Sequence, residues 1–241
     1  MGNSKKNVAT VIFMTLIAVI GWIMMTVTSS PLMKGAAFLW LPAALQLIAG
    51  IWLGPWRGLI AGGLGAYLAG ILAYGGYGLP DIIMNPIAGG LANSLLPALL
   101  FRSFKIRPDL GSEGLETIKG IKIISILLVV TLCLTLLLWL MKAGNWGYVP
   151  PILFLFIAPL FIGSLKLDRA SFLKACLVCI VCCFVSAAIG FAGIRVSGVP
   201  TEGALLSSIG WFLGDVVSSF LGLVILSSYT KEAIRVGIAS E

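Results

Sequence analysis

The sequence has no histidine and very little charge. Only 10% of its 241 residues are charged, whereas a soluble domain carries about 25%. Because 59% of the residues are hydrophobic, the chain cannot cover a water-facing surface, and it is predicted to lie in a lipid bilayer. With no histidine and no clustered pair of carboxylates, the usual side chains for acid–base catalysis are missing, so we expect no enzyme.

The sequence also lacks a phosphate-binding loop of the type Gly-x4-Gly-Lys-Ser/Thr, so any ATP-driven step requires another subunit. Four of the five cysteines follow the spacing Cys-x-x-Cys-x-x-Cys-Cys within 176–183, but the residues around them, LVCIVCCFVS, are apolar. Free cysteine packs as a small hydrophobic residue. We therefore expect these cysteines to fill space in a helix, and no metal or cofactor site is predicted.

Apolar runs long enough to cross a bilayer divide the chain into predicted membrane spans. The pattern predicts an all-α, polytopic helical bundle of about eight spans, with six or seven as alternatives because two runs are short and contain proline. The whole chain, 1–241, is read as one transmembrane domain with a polar loop at 102–120 and a short tail at 230–241. The spans are roughly 8–28, 37–53, 57–75, 81–101, 121–141, 149–165, 171–191 and 205–228.

Charge sets the predicted orientation. With eight spans and a cytoplasmic N-terminus, 13 of the 16 Lys and Arg residues lie inside, and only Lys34, Lys142 and Arg195 lie outside. This asymmetry is typical of the positive-inside rule. We therefore expect both termini, the 102–120 loop and the 230–241 tail to be cytoplasmic, in a multi-pass protein of the plasma membrane.

Small residues recur every four positions in the glycine-rich stretch GPWRGLIAGGLGAYLAG, residues 54–70. Gly58, Gly62, Ala66 and Gly70 share one helix face, where small side chains let two membrane helices approach closely. Such a face fits either a rigid, compact bundle or a surface that slides against a partner. The last span repeats the pattern at Gly210, Gly214, Ser218 and Gly222.

Polar side chains at membrane depth are the candidate functional groups. Asp215 lies near the middle of the last predicted span, where a carboxylate is expensive and indicates a functional site. Gln46, Asn85, Asn93 and Ser94 are candidates for interhelical hydrogen bonds. Asp81 sits at the outer end of the fourth span, and Trp40 and Trp211 fall near the outer interface, where an indole either anchors a helix or stacks on a flat ligand.

Two segments resemble a known family. The run LIAGIWLGPWRGLIAGGLGAYLAGIL and the following NPIAGGLANSLLPALLFRSFK resemble the substrate-binding S components of energy-coupling factor transporters. The resemblance implies a helical bundle that captures a vitamin or similar micronutrient from outside and docks on a transmembrane coupling subunit driven by two cytoplasmic ATPases. In that family two alanines four residues apart on the first helix make the docking contact. Here Ala18 and Gly21 are the small residues nearest to that pattern.

A weaker resemblance links the chain to eight-helix, membrane-associated sensor domains of bacterial signalling proteins. It rests on FLWLPAA at 38–44 and GWFLGDVV at 210–217. This resemblance implies a sensor or interaction module that passes a signal by helix packing and transports nothing.

The sequence as a whole predicts the specificity subunit of an ATP-driven importer, with the sensor module as the alternative. The solute pocket is expected in the outer half of the bundle, with loop 29–36 as a lid. Asn85 and Asn93 would donate hydrogen bonds, Trp40 or Trp211 would stack, and Asp215 would orient a polar or cationic group. The predicted substrate-binding set is Trp40, Gln46, Asp81, Asn85, Asn93, Trp211 and Asp215. The predicted docking set is Ala18, Gly21, Gly58, Gly62, Ala66 and Gly70.

Overall fold

A computed structural model describes residues 2–28, 40–74, 84–112 and 167–239, together with scattered short runs and single positions between 123 and 157. All regular structure in these residues is helical, as predicted. Outside the described residues lie Asp81, the loop 29–36, the second half of the 102–120 loop, part of the predicted span 121–141 and most of the predicted span 149–165.

Six helices are described from end to end. Five of them are long and apolar enough to cross a membrane, and α2, with 12 residues, is shorter. Six of the eight predicted spans coincide with these helices, and the count of eight stays a prediction. The helices are α1 (Gly2–Thr28), α2 (Pro42–Leu53), α3 (Pro55–Tyr74), α4 (Met84–Ser103), α5 (Arg169–Val196) and α6 (Thr201–Arg235).

Proline, glycine and aspartate set the helix boundaries. Pro42 and Pro55 occupy the first positions of α2 and α3, where the missing N–H costs nothing. Gly54 joins these helices with a φ of +93°, which a side chain would strain. Asp168 caps α5 by accepting hydrogen bonds from the backbone N–H groups of Ala170 and Ser171 at 3.1 and 3.3 Å.

Glycine brings the helices into backbone contact. A Cβ atom on Gly50 of α2 would lie 2.1 Å from the carbonyl oxygen of Ser94 in α4. A Cβ on Gly58 of α3 would lie 2.4 Å from the Cα of Gly50. Real Cβ atoms do not approach so closely, so the small residues in this stretch permit the packing of α2, α3 and α4.

The predicted docking residues are buried in the bundle. All six, Ala18, Gly21, Gly58, Gly62, Ala66 and Gly70, are covered by other parts of the chain. Gly21 shows why, because a Cβ there would lie 2.7 Å from Ala69 Cβ and 2.8 Å from the ring of Trp40. Internal packing accounts for the row of small residues. In this conformation, the row offers no exposed surface to a partner.

Both ends of the described chain meet at one end of the bundle, which we call the basic end. Lys5 Nζ donates to the carbonyl of Val236 at 3.2 Å, and Arg57 donates to the side chains of Asn3 and Asn7 at 3.2 Å. Lys231 Nζ donates to the Ser112 carbonyl at 2.8 Å. Three of the residues expected inside, Lys5, Arg57 and Lys231, therefore lie at one end, and we call the other the opposite end. At the opposite end, α1 and α3 end and α2 and α4 begin. The turn that joins α5 to α6 also lies there.

Candidate functional site

Asp215 is completely buried, the fifteenth residue of the 35-residue helix α6. One of its oxygens, Oδ2, accepts three hydrogen bonds. Ser186 Oγ of α5 donates at 2.7 Å, Asn93 Nδ2 of α4 at 3.1 Å, and Trp211 Nε1, one turn earlier on α6, at 3.1 Å. Three helices therefore contribute donors to one carboxylate oxygen, a geometry that stabilises negative charge.

The hydrogen bonds continue to α2 and α3. Asn93 Nδ2 also donates to Gln46 Oε1 at 3.2 Å, and Gln46 Nε2 reaches the carbonyl of Gly62 at 3.5 Å. Trp211 Nε1 donates to Ser186 Oγ at 3.1 Å as well. We call the side chains of Gln46, Asn93, Ser186, Trp211 and Asp215 the Asp215 cluster.

Three buried oxygen atoms have no hydrogen-bond partner among the described residues: Asp215 Oδ1 and Asn93 Oδ1, which belong to this cluster, and Ser218 Oγ. Ser218 follows Asp215 by three residues, so it lies on the same face of α6. Because an unpaired buried polar atom typically costs about 1–3 kcal/mol, these three atoms need an explanation.

The segment of α4 that carries Asn93 is a π-helix, Ile87–Leu95. π-helical segments are rare in proteins, and those that occur are often found at functional sites. Ser94 was expected to bond another helix, but its hydroxyl donates to the carbonyl of Gly89 in its own helix at 3.0 Å. The wider turn explains this difference, because residues five apart face each other in a π-helix.

A small pocket lies beside the cluster, toward the opposite end. Two indoles, Trp40 and Trp211, and two amides, Asn85 and Asn93, line it together with Met25 and Ala88. The space inside holds about one water molecule. The segments 29–39 and 75–83, which follow α1 and α3 at this end, lie outside the described residues.

The structure separates the predicted binding residues into two groups. Trp40, Asn85, Asn93 and Trp211 meet in the pocket, while Gln46 and Asp215 lie behind it. Asp215 was expected to orient a ligand group, but among the described residues it contacts pocket-lining groups, Asn93 and Trp211, and does not line the space itself. In this conformation its effect on a ligand is transmitted through those two side chains.

Sequence reasoning missed Ser186 altogether and named Ser218 only as a small packing residue of the last span. Both are hydroxyls within apolar helices, α5 and α6, at positions that hydropathy treats as neutral. Depth in the membrane was the available signal, because each lies well inside its predicted span. Their neighbours Cys179, Cys182 and Cys183 belong to the main apolar core, where cysteine was expected to fill space.

Neither a protein-family model, nor a curated protein, nor a solved structure matches this chain.

Proposed function

We propose that this chain binds a small solute in a membrane, as the specificity subunit of an ATP-driven importer. The observation that carries the proposal is the convergence of two indoles and two amides on one pocket, from the segment before α2 and from α4 and α6. Such pockets combine apolar walls with a few polar groups that fix a ligand's orientation. The proposal assigns no catalytic residue to the chain.

The lining indicates the chemistry of the solute. Indole faces bind flat, apolar or aromatic surfaces, and each side-chain amide offers both a donor and an acceptor. A planar, uncharged or cationic heterocycle with hydrogen-bonding edges, such as a vitamin, fits this lining. Because the space now holds about one water molecule, we expect side chains at the opposite end to move apart when the solute enters.

Native mass spectrometry of the purified protein tests the binding. We expect a retained small molecule in the wild type and its loss in Asn85→Ala, which changes a lining residue. Trp56→Phe is the matched control because Trp56 is 72% exposed and lies at the start of α3, near the basic end. Equal retention of the small molecule by all three proteins would contradict binding in this pocket.

Co-purification tests the importer. Recovery of a transmembrane coupling subunit with two ATPases supports import by a plasma-membrane assembly. Such an assembly would have to meet surfaces other than the six small residues that the bundle buries, or the bundle would have to open.

One observation favours the second candidate, a sensor module. The two segments that resemble sensor domains, around Trp40 and around Trp211 and Asp215, meet at the same pocket and cluster. Solute binding would then change the contacts between α2, α4 and α6 and pass the change to a signalling partner. Co-purification of a kinase or cyclase, with no ATPase pair, favours this function over import.

A further inference from the structure

Asp215 is a buried carboxylate with no basic partner in the part of the chain that the structure describes. Among the described residues, ion pairs join Arg107 to Asp109 and Arg235 to Glu232, and no described Lys or Arg pairs with Asp215. An uncompensated charge in a bilayer is costly, so it is neutralised by a bound proton or a cation. All three described donors bond to Oδ2, so Oδ1 is free to contact such a proton or cation.

The other open oxygens suggest which partner is present. Asn93 Oδ1 and Ser218 Oγ are buried, 4% and 0% exposed as residues, and neither has a hydrogen-bond partner in the described part of the chain. Asn93 is hydrogen-bonded directly to Asp215, and Ser218 lies one turn further along α6. A proton on Oδ1 would engage one acceptor at most, whereas a small hard cation binds several oxygens at once.

We propose that Asp215 Oδ1, Asn93 Oδ1 and Ser218 Oγ form a binding site for one small monovalent cation of the size of Na⁺. Carboxylate, amide and hydroxyl oxygens are the ligands that hard cations take. A single charge neutralises the single carboxylate, while a divalent ion would leave a net positive charge in the membrane. The described residues contain no group of three or more His, Cys, Asp or Glu side chains that could hold a metal ion.

The site is placed to couple the cation to the pocket. Asn93 contributes Oδ1 to the proposed site, while its Nδ2 bonds to Gln46 and Asp215 and its side chain also lines the pocket. A cation that fixes the orientation of this amide thereby presets one wall of the pocket. The inference does not depend on the proposed function, because the site is complete without a solute.

Thermal unfolding of the full-length protein tests the site. The protein is purified in choline chloride, and the unfolding midpoint is followed by tryptophan fluorescence as NaCl replaces choline chloride at constant total salt. A ligand that binds only the folded state stabilises it. We expect the midpoint to rise and saturate with Na⁺ for the wild type, and to stay unchanged for Asp215→Asn, which keeps the shape of the side chain but loses its charge.

Ser218→Ala provides the sharper variant. Its hydroxyl makes no described hydrogen bond, so its removal should leave folding intact while weakening Na⁺ affinity by roughly tenfold. Ser227→Ala is the matched control, because Ser227 is also buried on α6 and its hydroxyl bonds the carbonyl of Val224 in its own helix at 2.8 Å. It should keep the wild-type Na⁺ response.

Three results would overturn the site: equal midpoints in NaCl and choline chloride, an unchanged Na⁺ response in Asp215→Asn, or an equal response in Ser218→Ala and the wild type. A midpoint that rises on acidification but not with Na⁺ would identify a proton as the partner and also overturn it. No solute enters these measurements, so their failure leaves the solute-binding proposal standing, and loss of solute binding leaves the cation site standing.

Discussion

Asn93 Nδ2 lies 3.1 Å from Asp215 Oδ2 and joins α4 to α6 in the buried interior of the bundle. The same nitrogen lies 3.2 Å from Gln46 Oε1, so one amide group connects three helices. Because Asn93 also lines the pocket, this residue links the carboxylate to any molecule that binds there.

Asn93→Ala should lower the free energy of unfolding by about 1–3 kcal/mol, because it leaves the buried oxygens of Gln46 and Asp215 without their shared donor. Denaturant titration of the purified protein measures the loss. Asn85→Ala is the control, since Asn85 lines the pocket without a described hydrogen bond to the Asp215 cluster. Equal destabilisation by both variants would show that the buried hydrogen bonds of Asn93 contribute nothing specific.

Trp211→Phe should destabilise the protein while keeping an aromatic ring against Gly190, whose added Cβ would lie 2.8 Å from the indole. The substitution removes the N–H that donates to both Ser186 and Asp215. We expect a cost of about 1–3 kcal/mol, measured by the same denaturant titration. Trp56→Phe, on an exposed side chain, should change stability by less than about 0.5 kcal/mol, and a matching loss there would contradict the prediction.

Gly50→Ala should destabilise the bundle by about 1–3 kcal/mol or more, because the new methyl group would press on the backbone carbonyl of Ser94 rather than on a flexible side chain. Gly203→Ala is the matched control in α6. Its methyl group would meet only a terminal carbon of Val199 at 3.3 Å, and alanine favours a helix by about 1 kcal/mol over glycine. Thermal unfolding should therefore separate the two variants, and similar midpoints would refute backbone contact between α2 and α4.

Asp168 should make the free energy of unfolding fall as the pH is lowered into the acid range. The Ser171 hydroxyl, which donates to Asp168 Oδ2 at 2.6 Å, and the backbone N–H groups at the start of α5 hold the pKa of this carboxyl below its ordinary value. A lowered folded-state pKa stabilises the protein above the ordinary pKa, and this contribution is lost as the pH falls through the lowered value.

Asp168→Asn tests this dependence, because asparagine also caps a helix but does not titrate there. We expect the difference in unfolding midpoint between the wild type and the variant to be constant above the ordinary carboxylate pKa and to shift against the wild type in stronger acid. The other carboxylates are common to both proteins, so their titration cancels. A difference that does not change with pH would contradict the assigned cause.

The contact between Lys5 and Val236 predicts that both chain ends lie on one side of the membrane. Reporter fusions at each terminus, one active in the cytoplasm and one active outside, measure this topology. We expect both ends to report the cytoplasm, because the positively charged residues collect at this end of the bundle. Reports from opposite sides would mean an odd number of crossings and would overturn the eight-span prediction.

Local properties of the amino-acid sequence are enough to predict a membrane protein and the positions of six helices. Hydropathy is a local property, and the thickness of a bilayer sets the length of a spanning helix. The five long helices, α1 and α3 to α6, therefore follow from long apolar runs, and α2 follows from the shorter run at 37–53. The cost of a charge in lipid is equally local, and it marked Asp215 as a candidate before any contact was known. The rows of small residues can also be recognised in the sequence, but the sequence does not show which helices they contact.

Which side chains meet depends on how the helices pack in the folded protein. Asn93 and Asp215 stand 122 residues apart, and nothing in their neighbouring residues encodes the pairing. Ser186 reaches Asp215 because α5 packs on α6. Asn93 reaches it from a π-helical segment of α4. The glycines of 54–70 fit a docking surface or an internal contact equally well by spacing. Their burial against α1, α2 and α4 is a property of the assembled bundle, because close packing depends on which backbones cross there.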